Sequence, residues 1–527
     1  MKVSKLFLLL YLSLISLSLF AQEKVDHAII SRIKEEGFQH SQVMEIVSWL
    51  SDVYGPRLLG TPAYLEAAEW AKSEMEKWGL QNVRLDPLDN ELRGWSAESF
   101  SMEMVEPRYT PIFTYPSAWT SSTNGEVSGV PLIIKLDFDF WNPPVDSLQE
   151  YHGKLNGKIV FWDRGHKAKP HFEAFTTRFT DDDLKSAEQN INPIPGKSLT
   201  PWFYGESITE RLSKYAKSYL KYKELAKFFI DENVKALVFA SDFDHGILHV
   251  DSYYNLFIKI GDIKAIPTFF ISNEQFSRIV RMKNKGVKPV LKLHLKTRFY
   301  EEEQFRVNVL AEIPGNDKEL RQEIVMIGAH FDSWHAGTGA TDNGAGSAVM
   351  MEAMRILKAI DIKPRRTIRI GLWTGEEQVL LGSMDYAKKN VGDIFTGRER
   401  SEQRKISAYF NFDNGSGRIR GIFLQGNEAV RPIFAALLEP FAYLKANTLA
   451  IQNTTGTDHL IFDGMNVPAF QFIQDPLNYG TVTHHTNLDV YEYVIEDDLK
   501  QSAVIVASLA YHVAMRDEML PRKSTTR

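Results

Sequence analysis

The sequence predicts an α/β protein with a mostly parallel central sheet, flanked by helices and interrupted by a β-rich insert. After residue 300, short apolar runs alternate with helical patterns, which is typical of a parallel sheet with crossover helices. Between 108 and 298, Pro, Gly and aromatic residues are frequent and several runs alternate with period two. The chain has 527 residues, 44% of them hydrophobic, which is enough for more than one core.

Composition narrows the range of partners. The formal charge is −6 at pH 7 and there is no basic tract, so neither a nucleic acid nor an anionic membrane surface is expected as a partner. The sequence contains no cysteine. Disulfides and thiolate ligands are therefore excluded, and any metal must be held by histidine and carboxylate side chains.

Residues 1–21 have the pattern of a signal peptide. Lys2 and Lys5 precede an apolar stretch at 6–20, too short to span a bilayer comfortably, and Ala21-Gln22 follows as a cleavage site. We predict export, to the periplasm or by full secretion, without membrane contact after cleavage. An uncleaved anchor or a buried helix is the alternative.

The first part of the larger domain, residues 22–107, is predicted to begin with helices. Apolar residues recur at near-helical spacing over 22–50. A second helix begins at Thr61-Pro62, because Thr can accept hydrogen bonds from the free amides and Pro fits the first helical position. Gly79 ends this helix. It is expected to serve packing and not chemistry.

The insert spans residues 108–298. Strands are predicted at 136–140, 157–161 and 291–296, and a helix at 220–229 leads into a strand at 236–239. His245 and His249 are four residues apart, which could indicate a metal site. Gly246 instead favours a loop, where that spacing does not place two side chains on one face. We interpret this segment as a solvated loop.

The second part of the larger domain, residues 299–527, carries the sheet. Strands are predicted at 307–311, 324–328, 367–372, 408–412 and 469–473. Acidic and imidazole side chains follow four of them: His330, Asp332 and Asp342; Glu376 and Glu377; Asp413; and Asp475, His484 and His485. Ligands in open parallel sheets bind beyond the carboxyl ends of the strands, so these side chains are expected to meet at one edge. One such residue alone is more often a turn or surface group, but their joint placement favours a site.

These residue types suit a pair of divalent metal ions. Two ions about 3.5–4 Å apart need a carboxylate that bridges them, with imidazole and carboxylate completing each shell and room left for water or hydroxide. A further carboxylate near that water can take its proton and pass it to a leaving amine. Adjacent Glu376 and Glu377 suit this division, since neighbouring loop residues point in different directions.

Five segments resemble, in order, the motifs of the co-catalytic zinc exopeptidases, the family of aminopeptidases, glutamate carboxypeptidase and carboxypeptidase Q. They are His330-Phe-Asp332-Ser, Thr341-Asp342-Asn343-Gly344-Ala345, Trp373-Thr-Gly375-Glu376-Glu377, Asn411-Phe-Asp413 and Thr483-His484-His485-Thr486-Asn487. The resemblance covers 22–107 and 299–527. The insert is similar to a protease-associated domain through Gly157-Lys-Ile-Val160 and Ile266-Pro267-Thr-Phe.

The resemblance implies roles for individual residues. One Zn²⁺ would be held by His330, Asp342 and Asp413, and a second by Asp342, Glu377 and His485, with Asp342 bridging. Asp332 would orient His330, and Glu376 would be the general base. His485 is preferred to His484 as ligand because the family ligand directly precedes Thr or Ser. His484 stands where some relatives place a Tyr that steadies the oxyanion, so His484 or Tyr479 would take that role.

The predicted function is an exported two-zinc exopeptidase of short peptides, with aminopeptidase activity as the first expectation. The alternatives are a carboxypeptidase or dipeptidase, a single-zinc transferase resembling glutaminyl cyclase, and a receptor-like protein that has lost catalysis. His459 is either substrate-facing or a buried structural residue, and His335 is expected to be part of the loop between ligands. The sequence leaves open whether the chain forms a homodimer.

Overall fold

The computed structural model describes residues 23–89, 91–193, 207–250, 257–454 and 456–523. The predicted signal peptide lies outside the described residues. Within the described part of the chain, no helix has the length and apolar character needed to cross a membrane.

Three helices begin the described chain, a run of strands follows, and strands and helices are interspersed after residue 163. The α-helices are α1 (His27–Gln39), α2 (Val43–Ser48), α3 (Pro62–Lys77), α4 (Asp181–Gln189), α5 (Ile208–Asp231), α6 (Asn273–Asn284), α7 (Ala345–Ala359), α8 (Leu381–Asn390), α9 (Arg431–Leu438), α10 (His459–Gly464) and α11 (Glu496–Met515). The strands are β1 (Gln81–Pro87), β2 (Gly94–Glu106), β3 (Thr110–Pro111), β4 (Thr114–Pro116), β5 (Val127–Gly129), β6 (Leu132–Lys135), β7 (Ile159–Asp163), β8 (Ala236–Ala240), β9 (Thr268–Ile271), β10 (Val290–Tyr300), β11 (Val307–Ile313), β12 (Ile324–His330), β13 (Thr367–Trp373), β14 (Gly392–Asp393), β15 (Arg398–Glu399), β16 (Ile406–Asn411), β17 (Ile419–Phe423), β18 (Thr448–Ala450) and β19 (Ala469–Gln474).

The central sheet has the strand order β1-β11-β13-β12-β16-β19-β17-β18. Its four middle strands, β13, β12, β16 and β19, are parallel, which confirms the predicted fold class. β11 is an exception, because it pairs antiparallel with β13 although its sequence was grouped with the parallel strands. The connection from β11 to β12, at 314–323, is short and contains a 3₁₀ turn and no α-helix, whereas two parallel strands require a longer crossover.

Both faces of the middle strands are buried. Val325, Ile327 and Ala329 of β12 join one apolar cluster, whereas Ile324 and Met326 face another on the opposite side. Successive side chains of β12 thus point to opposite faces, and both sets are apolar. A sheet that is covered by helices on both faces requires such strands. α7 and α11 pack on the first side, and α8 and α10 on the second.

The start of α3 follows the sequence prediction. Thr61 accepts a hydrogen bond from the Tyr64 amide, and Pro62 occupies the first turn. Ala68, Ala71 and Met75 are buried against the core. The predicted helical segment 22–50 is divided into α1, α2 and a following π-turn.

The prediction that the insert is β-rich is wrong, because helices contribute as much to it as strands. One sheet, β3-β2-β10-β5, is antiparallel. A second, β4-β9-β8-β7-β6, is mostly parallel and packs with α5 and α6, whereas Leu184 and Ala187 of α4 pack against the central sheet. The first half of α5 was not predicted. Only Ser218 is fully buried there, and Ile208, Leu212, Tyr215 and Tyr219 form a half-buried stripe at helical spacing. β2 and β10 pair along their length across the predicted boundaries at 107/108 and 298/299, which remain predictions.

The predicted strand at 136–140 is also wrong. The backbone there is irregular, and β6 ends at Lys135. Its aromatic side chains pack like those of a strand, with the Phe138 ring against Trp162 and the Phe140 ring against Tyr222. The alternating burial was therefore predicted correctly. Leu136 N donates to the Asp163 carbonyl at the end of β7, but the residues after it form no strand.

Candidate metal centre and active site

The predicted ligands converge at the carboxyl edge of the sheet. His330 is the last residue of β12, Glu376 and Glu377 follow β13, and Asp413 follows β16. Asp342 lies in the π-turn that precedes α7, and His485 in the loop after β19. The four strands are neighbours, so each loop enters the same space.

Two groups of ligand atoms form around Asp342. In the first, His330 Nε2 lies 3.1 Å from Asp342 Oδ1 and 3.6 Å from Asp413 Oδ1. In the second, His485 Nε2 lies 2.9 Å from Glu377 Oε2 and 3.4 Å from Asp342 Oδ2. The two oxygens of Asp342 thus face different imidazoles, which is the geometry that a bridging carboxylate requires.

The donor set fits zinc. Within each group the candidate ligand atoms all lie within 4.8 Å of one another, and all five side chains are buried. Glu377 Oε1 is buried without a hydrogen-bond partner among the described residues. Burial, and then the charge of Asp342, raise the pKa of Glu377 well above its ordinary value. Buried carboxylates this close together need cations to balance them, and imidazole with carboxylate suits Zn²⁺.

Glu376 belongs to neither group and faces the cavity. Its side chain is half-buried, and its backbone amide donates to Asp332 Oδ1 at 3.2 Å. Burial raises the pKa of the Glu376 carboxyl well above its ordinary value, and the charge of His330 acts in the opposite direction. A carboxylate beside a metal pair but outside both ligand sets is placed as a general base would be.

The comparisons with known proteins agree with this geometry. Residues 308–510 match the sequence model of Peptidase family M28. This stretch contains all five predicted metal ligands and is similar to the M28 peptidases, and the domain that contains it is called the M28 domain. Carboxypeptidase Q of Mus musculus is 25% identical over 500 residues, which cover 95% of this chain and 91% of the mouse protein. The predicted family and the predicted enzyme class, a peptidase, are therefore confirmed.

Solved structures confirm the fold. A peptidase M28 precursor from Shewanella amazonensis SB2B superposes with a TM-score of 0.65 at 24% identity, covering 94% of this chain and 99% of that one. The zinc aminopeptidase BSAP from Bacillus subtilis gives 0.57 at 19% identity, covering 90% and 95%. The whole described architecture, insert included, is thus found in other proteins.

Asp332 and Asp489 contact the predicted metal ligands and hold them in place. His330 Nδ1 lies 3.1 Å from the Asp332 carbonyl oxygen and 3.5 Å from Asp332 Oδ1. The backbone carbonyl and the carboxylate of Asp332 thus both orient the imidazole. Asp489 accepts from the amides of Thr341 and Asp342 at 2.5 and 3.2 Å. These contacts fix the ligands before a metal binds.

A second network supports Asp413. Gln471 Nε2 donates to the Asp413 carbonyl at 2.7 Å, and Asn411 Nδ2 donates to Gln471 Oε1 at 2.9 Å. Tyr409 OH donates in turn to Asn411 Oδ1 at 2.6 Å. This buried chain runs between neighbouring strands, so the position of Asp413 depends on the packing of the sheet.

Arg57 ties two ligand loops together. Its fully buried guanidinium donates to the carbonyls of Phe331, Thr338 and Gly339 at 2.8, 3.1 and 2.9 Å, and to Leu50 at 2.6 Å. Phe331 adjoins His330, whereas Thr338 and Gly339 begin the Asp342 turn. Burial lowers the pKa of Arg57 to about 10, so the side chain stays charged at neutral pH.

Replacement of Arg57 by Met is expected to lower the free energy of unfolding by about 3 kcal/mol, because the carbonyls lose charged donors in a buried site. The same variant should retain less zinc. Chemical denaturation and metal analysis measure the two effects. Arg278→Met, which removes an exposed arginine from α6, is the control. Equal stability and zinc content in the two variants would contradict this role.

The two candidate oxyanion donors both line the site. Tyr479 is buried, and burial followed by the charge of Asp342 raises the pKa of its hydroxyl well above the ordinary value. The His484 ring stacks on His485 at a centroid distance of 3.7 Å and meets the Tyr479 ring at 5.0 Å. Both residues remain predicted donors.

The sequence analysis missed the contribution of the insert. Val250 N donates to the His485 carbonyl at 2.9 Å and Asn487 N donates to the Leu248 carbonyl at 3.1 Å, so the insert pairs with the ligand loop. His249 is thereby placed with its ring parallel to His485 at 5.9 Å. The interpretation of this segment as a solvated loop is wrong for His249, although the loop itself is present.

The insert and the M28 domain together line a partly open cavity of about 450 Å³. The domain contributes the metal ligands, Glu376, Tyr479 and His484. The insert contributes Phe140, Trp141, Arg211, Tyr215, Asp242 and His249. No local sequence signal pointed to these insert residues, because their role depends on how the insert docks.

His459 and His335 make structural contacts. His459 is fully buried, contacts Gln425 and has Nε2 3.1 Å from the Thr454 carbonyl, which confirms the structural alternative. His335 belongs to the loop between ligands, as predicted. It also joins the insert to that loop, since its Nε2 lies 2.7 Å from the Pro116 carbonyl.

Proposed function

We propose that this protein is a zinc-dependent exopeptidase that hydrolyses short peptides at a two-metal site, with Glu376 as the general base. The observation that carries the proposal is the position of Asp342, whose two oxygens face the two histidine-containing ligand groups. The mouse relative is named a carboxypeptidase and the Bacillus subtilis structure a zinc aminopeptidase, and both names agree with this chemistry.

The residues of the chain divide the work. His330, Asp342 and Asp413 would hold one zinc ion, and Asp342, Glu377 and His485 the other. When bound, zinc supplies polarisation of the scissile carbonyl and lowers the pKa of water. Glu376 takes a proton from the attacking water and passes it to the leaving amine. Tyr479 or His484 donates a hydrogen bond to the carbonyl oxygen as negative charge develops there.

The size of the cavity favours short substrates. Its insert-derived wall leaves about 450 Å³ in front of the metal ligands, which suits a small peptide better than an extended chain. The sequence analysis favours recognition of the amino end of the peptide. The name of the mouse relative, carboxypeptidase Q, favours the carboxyl end. Export to the periplasm or by secretion remains a proposal that rests on residues 1–21.

The alternatives fit less well. A receptor-like protein without catalysis has no need of a complete ligand set, yet all five predicted ligands are buried together and Glu376 stands beside them. A transferase with a single zinc needs only one group of metal ligands. It does not explain the second group, in which His485 Nε2 lies 2.9 Å from Glu377 Oε2.

The test is peptide hydrolysis by the zinc-loaded protein, compared with the same protein after chelation. Short peptides with free, N-acylated or C-amidated ends are followed by mass spectrometry. Release of single terminal residues by the zinc form alone is expected. Block by N-acylation would identify an aminopeptidase, and block by C-amidation a carboxypeptidase. Failure of the zinc-loaded protein to cleave any peptide would overturn the proposal.

A further inference from the structure

The first turn of α5 is docked on the M28 domain. Ile208 packs against the apolar cluster that contains Trp373 and Phe462. Ser207 caps the helix by accepting from the Glu210 amide, and the Glu210 carboxylate accepts from the Ser207 amide at 2.8 Å. This reciprocal cap fixes the direction of the helix where it leaves the peptidase surface. Arg211, in the first turn of α5, is therefore held over the cavity.

Aromatic side chains fix the guanidinium of Arg211. Its Cζ lies 5.8 Å from the ring centroid of Tyr215, one helical turn further along. The Tyr215 ring meets Trp141 edge-on at 5.0 Å and Phe140 at 6.0 Å. Ser218 of the same helix donates to the Trp141 carbonyl at 3.0 Å. Phe140, Trp141 and Tyr215 also line the cavity, so the guanidinium of Arg211 packs against its aromatic wall.

Apart from histidines, the other titratable charges that line the cavity are carboxylates. Asp342, Glu377 and Asp413 belong to the metal groups, and Glu376 stands beside them. Asp242 is paired with Arg164, whose Nη2 lies 2.7 Å from Asp242 Oδ1. Among the described residues that line this cavity, Arg211 is the sole lysine or arginine. It is therefore the cationic side chain on the insert side of the cavity, opposite the metal-ligand groups.

We propose that Arg211 binds the free α-carboxylate of a short peptide substrate and so directs the enzyme to the carboxyl end of short peptides and to dipeptides. This rests on the proposed exopeptidase function and would replace the aminopeptidase expectation. A guanidinium forms paired hydrogen bonds with a carboxylate, whereas a carboxamide offers one oxygen and no charge. Hydrogen bonds between charged groups correspond to roughly 10- to 100-fold in affinity.

The test compares dipeptides with a free or an amidated carboxyl end, using the zinc-loaded wild type, Arg211→Met and Arg211→Lys. The matched control is Lys217→Met, which removes a positive charge from an exposed position of the same helix. The wild type is expected to prefer the free acid by roughly 10- to 100-fold in kcat/KM. Arg211→Met should lose this preference through a higher KM for the acid, with the amide unchanged. Arg211→Lys should keep part of it.

Binding of an uncleavable dipeptide with a reduced peptide bond, as acid and as amide, separates this assignment from the proposed function. Calorimetry should show tighter binding of the acid by the wild type and equal binding of both by Arg211→Met, whether or not any peptide is cleaved. Equal treatment of acid and amide by the wild type would overturn the assignment. So would an Arg211→Met variant that weakens acid and amide by the same factor.

Discussion

Replacement of Glu376 by Gln is expected to lower kcat by roughly 10²- to 10⁴-fold while the metal content stays at that of the wild type. Gln has the same shape as Glu but cannot take a proton from water. Glu376 lies outside both ligand groups, and its backbone amide, which donates to Asp332, is unaffected by the change. The loss should therefore appear in the rate of the chemical step and not in the binding of metal or peptide.

Glu377→Gln is the matched comparison, because it makes the same chemical change one residue away at a predicted ligand. His485 lies 2.9 Å from the Glu377 carboxylate, so this variant should lose zinc as well as activity. Steady-state kinetics with metal analysis separate the two outcomes. A Glu376→Gln variant with full activity, or one that loses zinc as Glu377→Gln does, would remove Glu376 from the role of base.

Replacement of Asp342 by Asn is expected to impair both metal groups at once. Each oxygen of Asp342 faces a different histidine, and an amide cannot bridge two cations as a carboxylate does. The loss of metal assistance is several kcal/mol, which corresponds to roughly 10³-fold or more in kcat/KM. His330→Asn, in contrast, should remove only the metal of its own group.

Asp342→Asn is expected to be more stable than the wild type without zinc and less stable with zinc. Without metal, Asp342 and Glu377 are buried near each other and repel, so Asp342→Asn should unfold at a higher temperature than the metal-free wild type. With zinc, the wild type gains about 4 kcal/mol when free zinc is roughly 1,000 times the dissociation constant, and the order should reverse. Calorimetric melting with and without zinc measures both. The same order in the two conditions would contradict the bridging role.

The placement of the ligands could be predicted because it follows from the geometry of parallel strands. β13, β12, β16 and β19 are adjacent in the sheet, so the residues that follow them meet at one edge. Each strand is recognisable as a short apolar run, since both faces of the sheet are covered. The choice of His485 over His484 came from the family resemblance, and the structure places His485 Nε2 against Glu377 and Asp342.

The contribution of the insert could not be predicted from local patterns. His249 reaches the site because the backbone of the insert pairs with the loop of His485, a contact between segments more than 200 residues apart. Arg211 lies in the first turn of α5, where Ile208, Leu212 and Tyr215 recur at helical spacing. This spacing indicates a helix but not the surface on which the helix packs. Docking of one domain on another depends on complementary surfaces, which hydrophobic periodicity does not encode.

The most direct test of the two-metal site is anomalous diffraction at the zinc edge from crystals of the zinc-loaded protein. Two peaks are expected, about 3.5–4 Å apart. One should contact His330 and Asp413, the other Glu377 and His485, with an oxygen of Asp342 at each. A single peak, or zinc bound instead by His249 and His484, would contradict the assignment of the site.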